Sequence, residues 1–88
     1  MAHYVYCLRC RDGSIYTGYT INIERRLAQH QAGKAAKYTR GRRPVELLGY
    51  LAFDSQNEAL AWEARLKKLA PKAKLKLIEK HGLSGEDS

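Results

Sequence analysis

HYVYCLRCRDGSIYTGYT, residues 3–20, is the stretch of sequence that decides the fold, because it predicts a β-hairpin. His3 to Cys10 is rich in Tyr, Val and Cys and contains neither Gly nor Pro, which is typical of a strand. Asp12-Gly13 is a strong turn signal, and Ile15 to Thr20 is a second strand-like run. We expect the rest of the chain to cover and complete this hairpin.

The register of the hairpin decides whether two of its tyrosines share a face of the sheet. Side chains alternate between faces along a strand, so a slip of one residue exchanges the two faces. A two-residue turn pairs Cys10 with Ile15 and places Tyr6 and Tyr16 on opposite faces. A three-residue loop over residues 12–14 pairs Cys10 with Tyr16 and brings both tyrosines onto one face. The sequence permits both registers.

A helix is predicted after the hairpin, with Asn22 as its N-cap and Gly33 as its stop. Ile23, Leu27 and Ala28 have the spacing of a buried stripe on this helix, which is expected to run to about residue 31.

A basic segment and a third strand are predicted next. Residues 34–43, KAAKYTRGRR, carry five positive charges and no acidic residue, which indicates a basic loop. Pro44 ends this loop, and Val45 to Phe53 is a largely apolar run. Such a run is typical of a strand buried on both faces, so we expect it to lie in the centre of the sheet.

Two further helices are predicted after the third strand. Ser55 can cap the first, and its inward stripe consists of Ala59, Trp62, Leu66 and Leu69. Glu63 falls on the same stripe, where a carboxylate is unfavourable unless a partner compensates it. The last helix is expected to begin at Pro71 and to end at Gly82. Its inward residues are Leu75 and Ile78, and its lysines are mostly outward: Lys72, Lys74, Lys76 and Lys80. The element order is therefore β-β-α-β-α-α, with one domain over residues 1–83 and a flexible tail over 84–88.

The composition favours a nucleic-acid partner. The 88 residues include sixteen Lys and Arg against nine Asp and Glu, a net charge of +7. Such an excess on a small domain points to a polyanionic partner, although a basic domain can also be merely well solvated. No apolar run approaches the roughly 18–20 residues of a membrane span, and no secretory signal is visible, so we expect a cytoplasmic protein.

The two cysteines form a lone C-x-x-C at Cys7 and Cys10. A zinc site needs about four ligands, and no second pair supplies the others. A redox C-x-x-C usually stands at the start of a helix, whereas this one lies in a strand pattern. We therefore expect both cysteines to be packing residues.

Five residues are candidates for chemistry: Tyr6, Tyr16, Arg26, His30 and Glu63. Each alone has an ordinary structural explanation, such as a half-buried tyrosine or an arginine beside an apolar stripe. Together they suit phosphodiester hydrolysis, which needs an activated water and a cation near the phosphate oxygens. A guanidinium matches phosphate geometry, and a lone carboxylate can hold one Mg²⁺. A tyrosine can deprotonate water only if nearby cations lower its pKa of about 10.

These motifs resemble those of the GIY-YIG nuclease domains. Tyr4-Val5-Tyr6 corresponds to Gly-Ile-Tyr of that family, and Tyr16-Thr17-Gly18 to Tyr-Ile-Gly. Thr20, Asn22 and Arg26 follow the family's next pattern, and Glu63 matches its metal-binding Glu. The resemblance covers about residues 3–81 and is strongest to the small stand-alone bacterial branch, which carries no separate DNA-binding domain. Tyr4 and Thr17 depart from the family pattern, and Tyr4 places a bulky phenol near the site entrance.

The resemblance implies an α+β fold, a three-stranded antiparallel sheet flanked by helices, and a nuclease that uses one Mg²⁺ or Mn²⁺ at Glu63. It implies that Tyr6 acts as general base or helps to activate water, that Tyr16 orders the site, and that Arg26 stabilises the phosphate. His30 is then an auxiliary group that handles protons or contacts phosphate. Gly18 and the cap residue Asn22 have structural roles at the site, Gly18 by allowing backbone and substrate to approach closely.

The basic segment is the candidate for holding DNA. Its predicted contacts are Lys37, Tyr38, Thr39, Arg40, Arg42 and Arg43. Tyr38 can also stack on an unpaired base. The expected function is a metal-dependent, structure-selective DNA endonuclease in DNA repair or processing, acting as a monomer. The alternatives are a nucleic-acid-binding module that has lost catalysis, or a subunit that needs a protein partner.

Overall fold

The computed structural model describes residues 2–81, and a three-stranded antiparallel sheet lies at its centre. The predicted order of strands and of the three longer helices is confirmed. The predicted tail over residues 84–88 and the helix stop at Gly82 lie outside the described residues. The elements are β1 (His3–Arg9), β2 (Ile15–Thr20), α1 (Ile23–Gln31), α2 (Lys37–Arg40), β3 (Glu46–Phe53), α3 (Gln56–Lys67) and α4 (Pro71–His81).

The strand order is β2-β1-β3, so the expectation that the third strand is central was wrong. β1 is central because it pairs antiparallel with β2 along one edge and with β3 along the other. The apolar character of β3 comes instead from packing. Leu51 of β3 belongs to the buried cluster that helices α3 and α4 cover.

The hairpin has a register that differs from both expected ones. Tyr6 lies opposite Gly18, and Leu8 lies opposite Tyr16. The loop consists of residues 11–13: the Cys10 N–H donates to the Ser14 carbonyl and the Gly13 N–H donates to the Cys10 carbonyl, both at 2.9 Å. Gly13 has a φ of 87°, as the last residue of a three-residue loop requires. Since Leu8 shares a face with Tyr6, both Tyr6 and Tyr16 are on one face of the sheet.

The helix boundaries follow the predicted capping signals. Asn22 Oδ1 accepts the Arg25 N–H at 3.0 Å, and Ser55 Oγ accepts the Glu58 N–H at 3.4 Å. Gly33 has a φ of 76° just after α1, as a helix stop does. The basic segment was expected to be a loop, but its middle forms the short helix α2, which has no side-chain cap to signal it.

The two faces of the sheet are buried in two separate clusters. On one face Val5, Cys7, Ile15 and Leu51 pack with Ala59, Leu66 and Ile78 of α3 and α4. On the other face Tyr6, Leu8, Cys10 and Val45 pack with Tyr16, Tyr50 and the α1 residues Ile23 and Leu27. The cysteines are buried free thiols, one in each cluster, which confirms their packing role.

Two details of the helical faces correct the expectations. Ala28 is exposed rather than part of the α1 stripe. Lys74 is only 9% exposed rather than outward, because it precedes Ile78 by one helical turn and shares its face. Within residues 2–81, no helix has the length and apolar character needed to cross a membrane.

Candidate active site

A chain of hydrogen bonds joins the central strand β1 to the helices α1 and α2. Tyr6 on β1 is 3% exposed, and its hydroxyl lies 2.7 Å from His30 Nε2 on the last turn of α1. His30 Nδ1 lies 2.8 Å from Thr39 Oγ1 on α2, and the Thr39 hydroxyl donates to the Ala36 carbonyl at 3.2 Å. His30 and Thr39 are fully buried. The structure therefore brings together two residues of the predicted site, and adds Thr39 behind them.

This network assigns the protons. Thr39 has one hydroxyl proton and donates it to Ala36, so it can only accept from His30. His30 Nδ1 must then carry the ring proton, which leaves Nε2 as an acceptor in the neutral imidazole. The Tyr6 hydroxyl therefore donates to His30 Nε2. The hydrogen bonds therefore all run in one direction: Tyr6 donates to His30, and His30 donates to Thr39.

The pKa values of both members of this pair are displaced. Burial, and to a lesser extent the charge of Arg26, lowers the pKa of His30 to about 4, so the ring is neutral at ordinary pH. Burial, followed by the neighbouring Tyr16, raises the pKa of Tyr6 well above its usual value, although Arg26 opposes the change. The condition that cations lower the pKa of the tyrosine is not met, because desolvation outweighs Arg26.

Gly18 makes room for the Tyr6 ring. A Cβ at residue 18 would lie 2.5 Å from Tyr6 Oη, 2.6 Å from Tyr6 Cζ and 3.0 Å from Tyr16 Cε2. Any side chain would therefore displace the phenol from His30. The close approach that Gly18 allows is thus between this strand and Tyr6, its partner across the hairpin.

Tyr16 stands between the buried pair and the basic segment. Its ring centroid is 5.1 Å from that of His30 and 6.3 Å from that of Tyr6. On the outer side, the Tyr38 ring lies at 5.8 Å. Tyr6, Tyr16 and His30 therefore form one aromatic cluster, in which Tyr16 is half-buried.

Arg26 and Glu63 approach this cluster from different helices. Arg26 on α1 is half-buried, borders a cavity with Thr20, Asn22 and Arg25, and affects the pKa of both Tyr6 and His30. The Glu63 carboxylate on α3 acts on the pKa of Tyr6 as well. Its Oε2 lies 3.3 Å from Lys67 Nζ, and its side chain is 19% exposed. Of the other four candidates, His30 and Tyr16 therefore lie against Tyr6, and Arg26 and Glu63 act on its pKa.

The basic segment divides into engaged and free residues. Arg42 Nε donates to Asp12 Oδ2 at 2.9 Å and Nη1 to the Tyr38 carbonyl at 2.7 Å, and its Cζ lies 4.1 Å from the centre of the Tyr38 ring. Tyr38 thus has Tyr16 on one side and Arg42 on another, although 40% of it is exposed. Arg43 is exposed but donates to the backbone carbonyls of Arg40 and Gln31, whereas the side chains of Lys37 and Arg40 are exposed without a hydrogen bond to residues 2–81.

Thr39 is the exception among the predicted DNA contacts. Its complete burial and its two hydrogen bonds put it out of reach of a DNA strand, so we assign it to holding His30. Sequence reasoning missed this role because nine residues separate the two and no local pattern joins them. It also missed Arg11, an exposed residue of the hairpin loop that borders the basic segment. The only feature of the sequence that could have pointed to Arg11 is its positive charge next to the Asp12-Gly13 turn.

Comparisons with known proteins identify the family and support the fold. The family model of the GIY-YIG catalytic domain matches residues 2–76. The UPF0213 protein of Oceanobacillus iheyensis is 58% identical over 77 residues, which are 88% of this chain and 90% of that protein. A solution NMR structure of the UPF0213 protein from Bacillus halodurans is 50% identical and has a TM-score of 0.59, with 93% of this chain and 87% of that one covered. A solution NMR structure of a protein from E. faecalis is 43% identical with a TM-score of 0.64, covering 91% and 85% of the two chains.

Proposed function

Because this chain belongs to the GIY-YIG catalytic domain family, a family of nucleases, we propose that it is an endonuclease that hydrolyses phosphodiester bonds in DNA. The observation that carries the proposal is the 2.7 Å hydrogen bond from Tyr6 to the neutral His30, next to the charge of Arg26. Phosphodiester hydrolysis requires a proton acceptor for water and a cation for the phosphate, and these residues supply both.

In the proposed reaction, Tyr6 accepts a proton from the attacking water while its own proton moves to His30 Nε2. The raised pKa of Tyr6 makes a free phenolate unfavourable, and a concerted transfer avoids forming it. His30 can accept because its Nε2 lone pair already faces the Tyr6 hydroxyl. The bond from His30 Nδ1 to Thr39 holds the ring in place during the transfer.

Arg26 is proposed to bind the oxygens of the scissile phosphate. A guanidinium presents donors in a fixed fork that suits phosphate. The positive charge of Arg26 contributes to the low pKa of His30. A phosphate anion on Arg26 offsets that charge, so substrate binding is expected to raise the pKa of His30 and make it a better proton acceptor.

Glu63 is the residue we propose for a divalent cation, Mg²⁺ or Mn²⁺. Within residues 2–81 its half-buried carboxylate has one ion pair, to Lys67, whose side chain is 54% exposed. Such a pair is weak enough for a cation to replace. Residues 2–81 contain no cluster of three or more acidic, Cys or His side chains, so one carboxylate fits an ion whose other ligands are water and substrate. When bound, the ion supplies positive charge to the phosphate and the leaving oxygen.

A nicking assay with Mg²⁺ or Mn²⁺ on supercoiled, branched and single-stranded DNA tests the proposal. We expect cleavage by the wild type and a loss of about 10²- to 10⁴-fold in Tyr6→Phe, the range for removal of a proton-transfer group. Glu63→Gln and Arg26→Ala should also abolish most cleavage. The matched control is Glu58→Gln, an exposed acid on the same helix, which should cleave as the wild type does. Cleavage that persists in Glu63→Gln and in Arg26→Ala would overturn the site.

The exposed cations of the basic segment also favour a second candidate, a DNA-binding module that does not cleave by itself or that needs a protein partner to do so. Salt-sensitive DNA binding without cleavage at any Mg²⁺ or Mn²⁺ concentration would support this candidate. We also propose structure selectivity and a role in DNA repair or processing in the cytoplasm. Comparing cleavage of branched and single-stranded DNA in the same assay tests the selectivity.

A further inference from the structure

We propose that a second phosphate of the DNA strand, outside the catalytic centre, binds in a cleft between three arginines. The inference rests on the proposed function and adds to it a feature of the substrate. The cleft has a volume of about 440 Å³ and lies where the hairpin loop, the end of α1 and the segment after α2 meet. Its lining, which we call the arginine cleft, consists of Arg11, Gln31, Arg40, Gly41, Arg43 and Pro44.

The arginine cleft carries three positive charges and no negative one. Arg11, Arg40 and Arg43 are all exposed, and none of them forms an ion pair with any of the residues 2–81. The acid of the hairpin loop, Asp12, is bound to Arg42, which is not part of the lining. The charge of the cleft is therefore available for an anion from solution.

Arg43 is held ready to bind. Its Nε donates to the Arg40 carbonyl at 2.8 Å and its Nη1 to the Gln31 carbonyl at 3.2 Å. Gly33 allows this position, because a Cβ there would lie 3.1 Å from Arg43 Cζ. Both acceptors are neutral, so the charge remains uncompensated, and Nη2 makes no hydrogen bond within residues 2–81. A guanidinium already fixed in this way loses little side-chain entropy when it binds a phosphate.

The surrounding walls are fixed by backbone contacts. The Gln31 side chain binds both the Val45 carbonyl, at 2.6 Å, and the Val45 N–H, at 3.0 Å. The Arg11 N–H donates to the Arg42 carbonyl at 2.8 Å, which joins the hairpin loop to the basic segment. The backbone around the cleft is thus held in place by hydrogen bonds, and the exposed side chains of Arg11 and Arg40 extend from it.

The position of the cleft relative to the candidate active site favours a DNA strand over another anion. Gln31 directly follows His30 on α1, and Arg40 directly follows Thr39 on α2. Helices α1 and α2 therefore each contribute one residue to the hydrogen-bond chain and the next residue to the cleft. A polymer with a phosphate at every nucleotide can occupy both places at once, and a single small anion cannot.

The test is a binding cycle between protein variants and modified DNA, without divalent cations so that no cleavage occurs. Wild type, Arg11→Gln and Arg40→Gln are titrated with oligonucleotides in which a neutral methylphosphonate replaces one phosphate at a time. Arg43 is left intact because it holds backbone carbonyls. Lys76→Gln on α4 is the control, since it removes one exposed charge far from the cleft in the sequence.

The expected result is one phosphate position at which methylphosphonate weakens DNA binding by the wild type but no longer weakens binding by Arg40→Gln. The slope of log K against log salt should fall by about 0.9 for each duplex phosphate that an arginine no longer neutralises. The proposal is overturned if the losses add at every position, or if Lys76→Gln lowers the slope as much. Unchanged DNA binding by both arginine variants would also overturn it and direct attention to an acidic protein. Because this assay measures binding and not cleavage, it can support or overturn the arginine cleft even if the protein does not cleave DNA.

Discussion

Replacing His30 by glutamine should remove much of the acid sensitivity of the fold. His30 is fully buried and neutral, with a pKa of about 4 instead of 6.5. Between these values the unfolded chain binds more protons, so the stability present above about pH 6.5 is lost as the pH falls towards 4. The two pKa values correspond to a loss of about 2 kcal/mol between about pH 8 and about pH 5.

Urea unfolding at a series of pH values measures how much stability the protonation of His30 removes. Glutamine can accept from Tyr6 and donate to Thr39, so His30→Gln should fold, with lower stability at neutral pH but a flatter pH profile. The difference between the two profiles isolates His30, because other titrating groups are common to both proteins. Parallel profiles from pH 4 to 7 would show that His30 is not buried as a neutral ring, and would refute the proton order derived above.

Three further outcomes follow from the packing. Gly18→Ala places a Cβ 2.5 Å from Tyr6 Oη, so the free energy of unfolding should fall by about 1–3 kcal/mol and the thermal midpoint by at least about 4 °C. Gly41→Ala is the control, because a Cβ there meets nothing within 4 Å and the midpoint should not change. Equal midpoints for the two variants would contradict the close contact at Gly18. Gln31→Ala leaves the N–H and the carbonyl of the buried Val45 without their partner, so the free energy of unfolding measured in urea should fall by about 1–3 kcal/mol. A fall below about 0.5 kcal/mol would count against the role of these two hydrogen bonds. The two buried thiols should resist iodoacetamide in the native protein and react in denaturant, as followed by mass spectrometry; rapid native labelling would disprove their burial.

The hairpin illustrates what local sequence can and cannot decide. The turn signal at Asp12-Gly13 predicts where the chain reverses. The register depends on which loop position takes the left-handed conformation, and that is settled by Gly13 acting as the third residue of the loop. Both expected pairings were therefore wrong, yet the parity that places Tyr6 and Tyr16 on one face is the same as for the expected three-residue loop.

The parts of the site that sequence could not predict are those that depend on contacts across the fold. Tyr6 and His30 are separated by 24 residues, and their hydrogen bond exists only because α1 packs on one face of the sheet. The role of Thr39 requires α2, a helix of four residues with no side-chain cap, whose formation depends on its surroundings. By contrast, the position of Lys74 was within reach of sequence analysis, since its spacing from Ile78 places both on one helical face.

The central place of β1 also determines how the protein can move. A strand hydrogen-bonded along both edges exposes its amides to exchange only when the sheet itself opens, so β1 should be the last element to exchange hydrogen for deuterium. Tyr6 thus lies on a strand that is paired along both edges. The arginine cleft, by contrast, is built from connecting segments and exposed side chains. Any adjustment to DNA of different shape must therefore occur in the cleft, while the proton-transfer pair keeps its geometry.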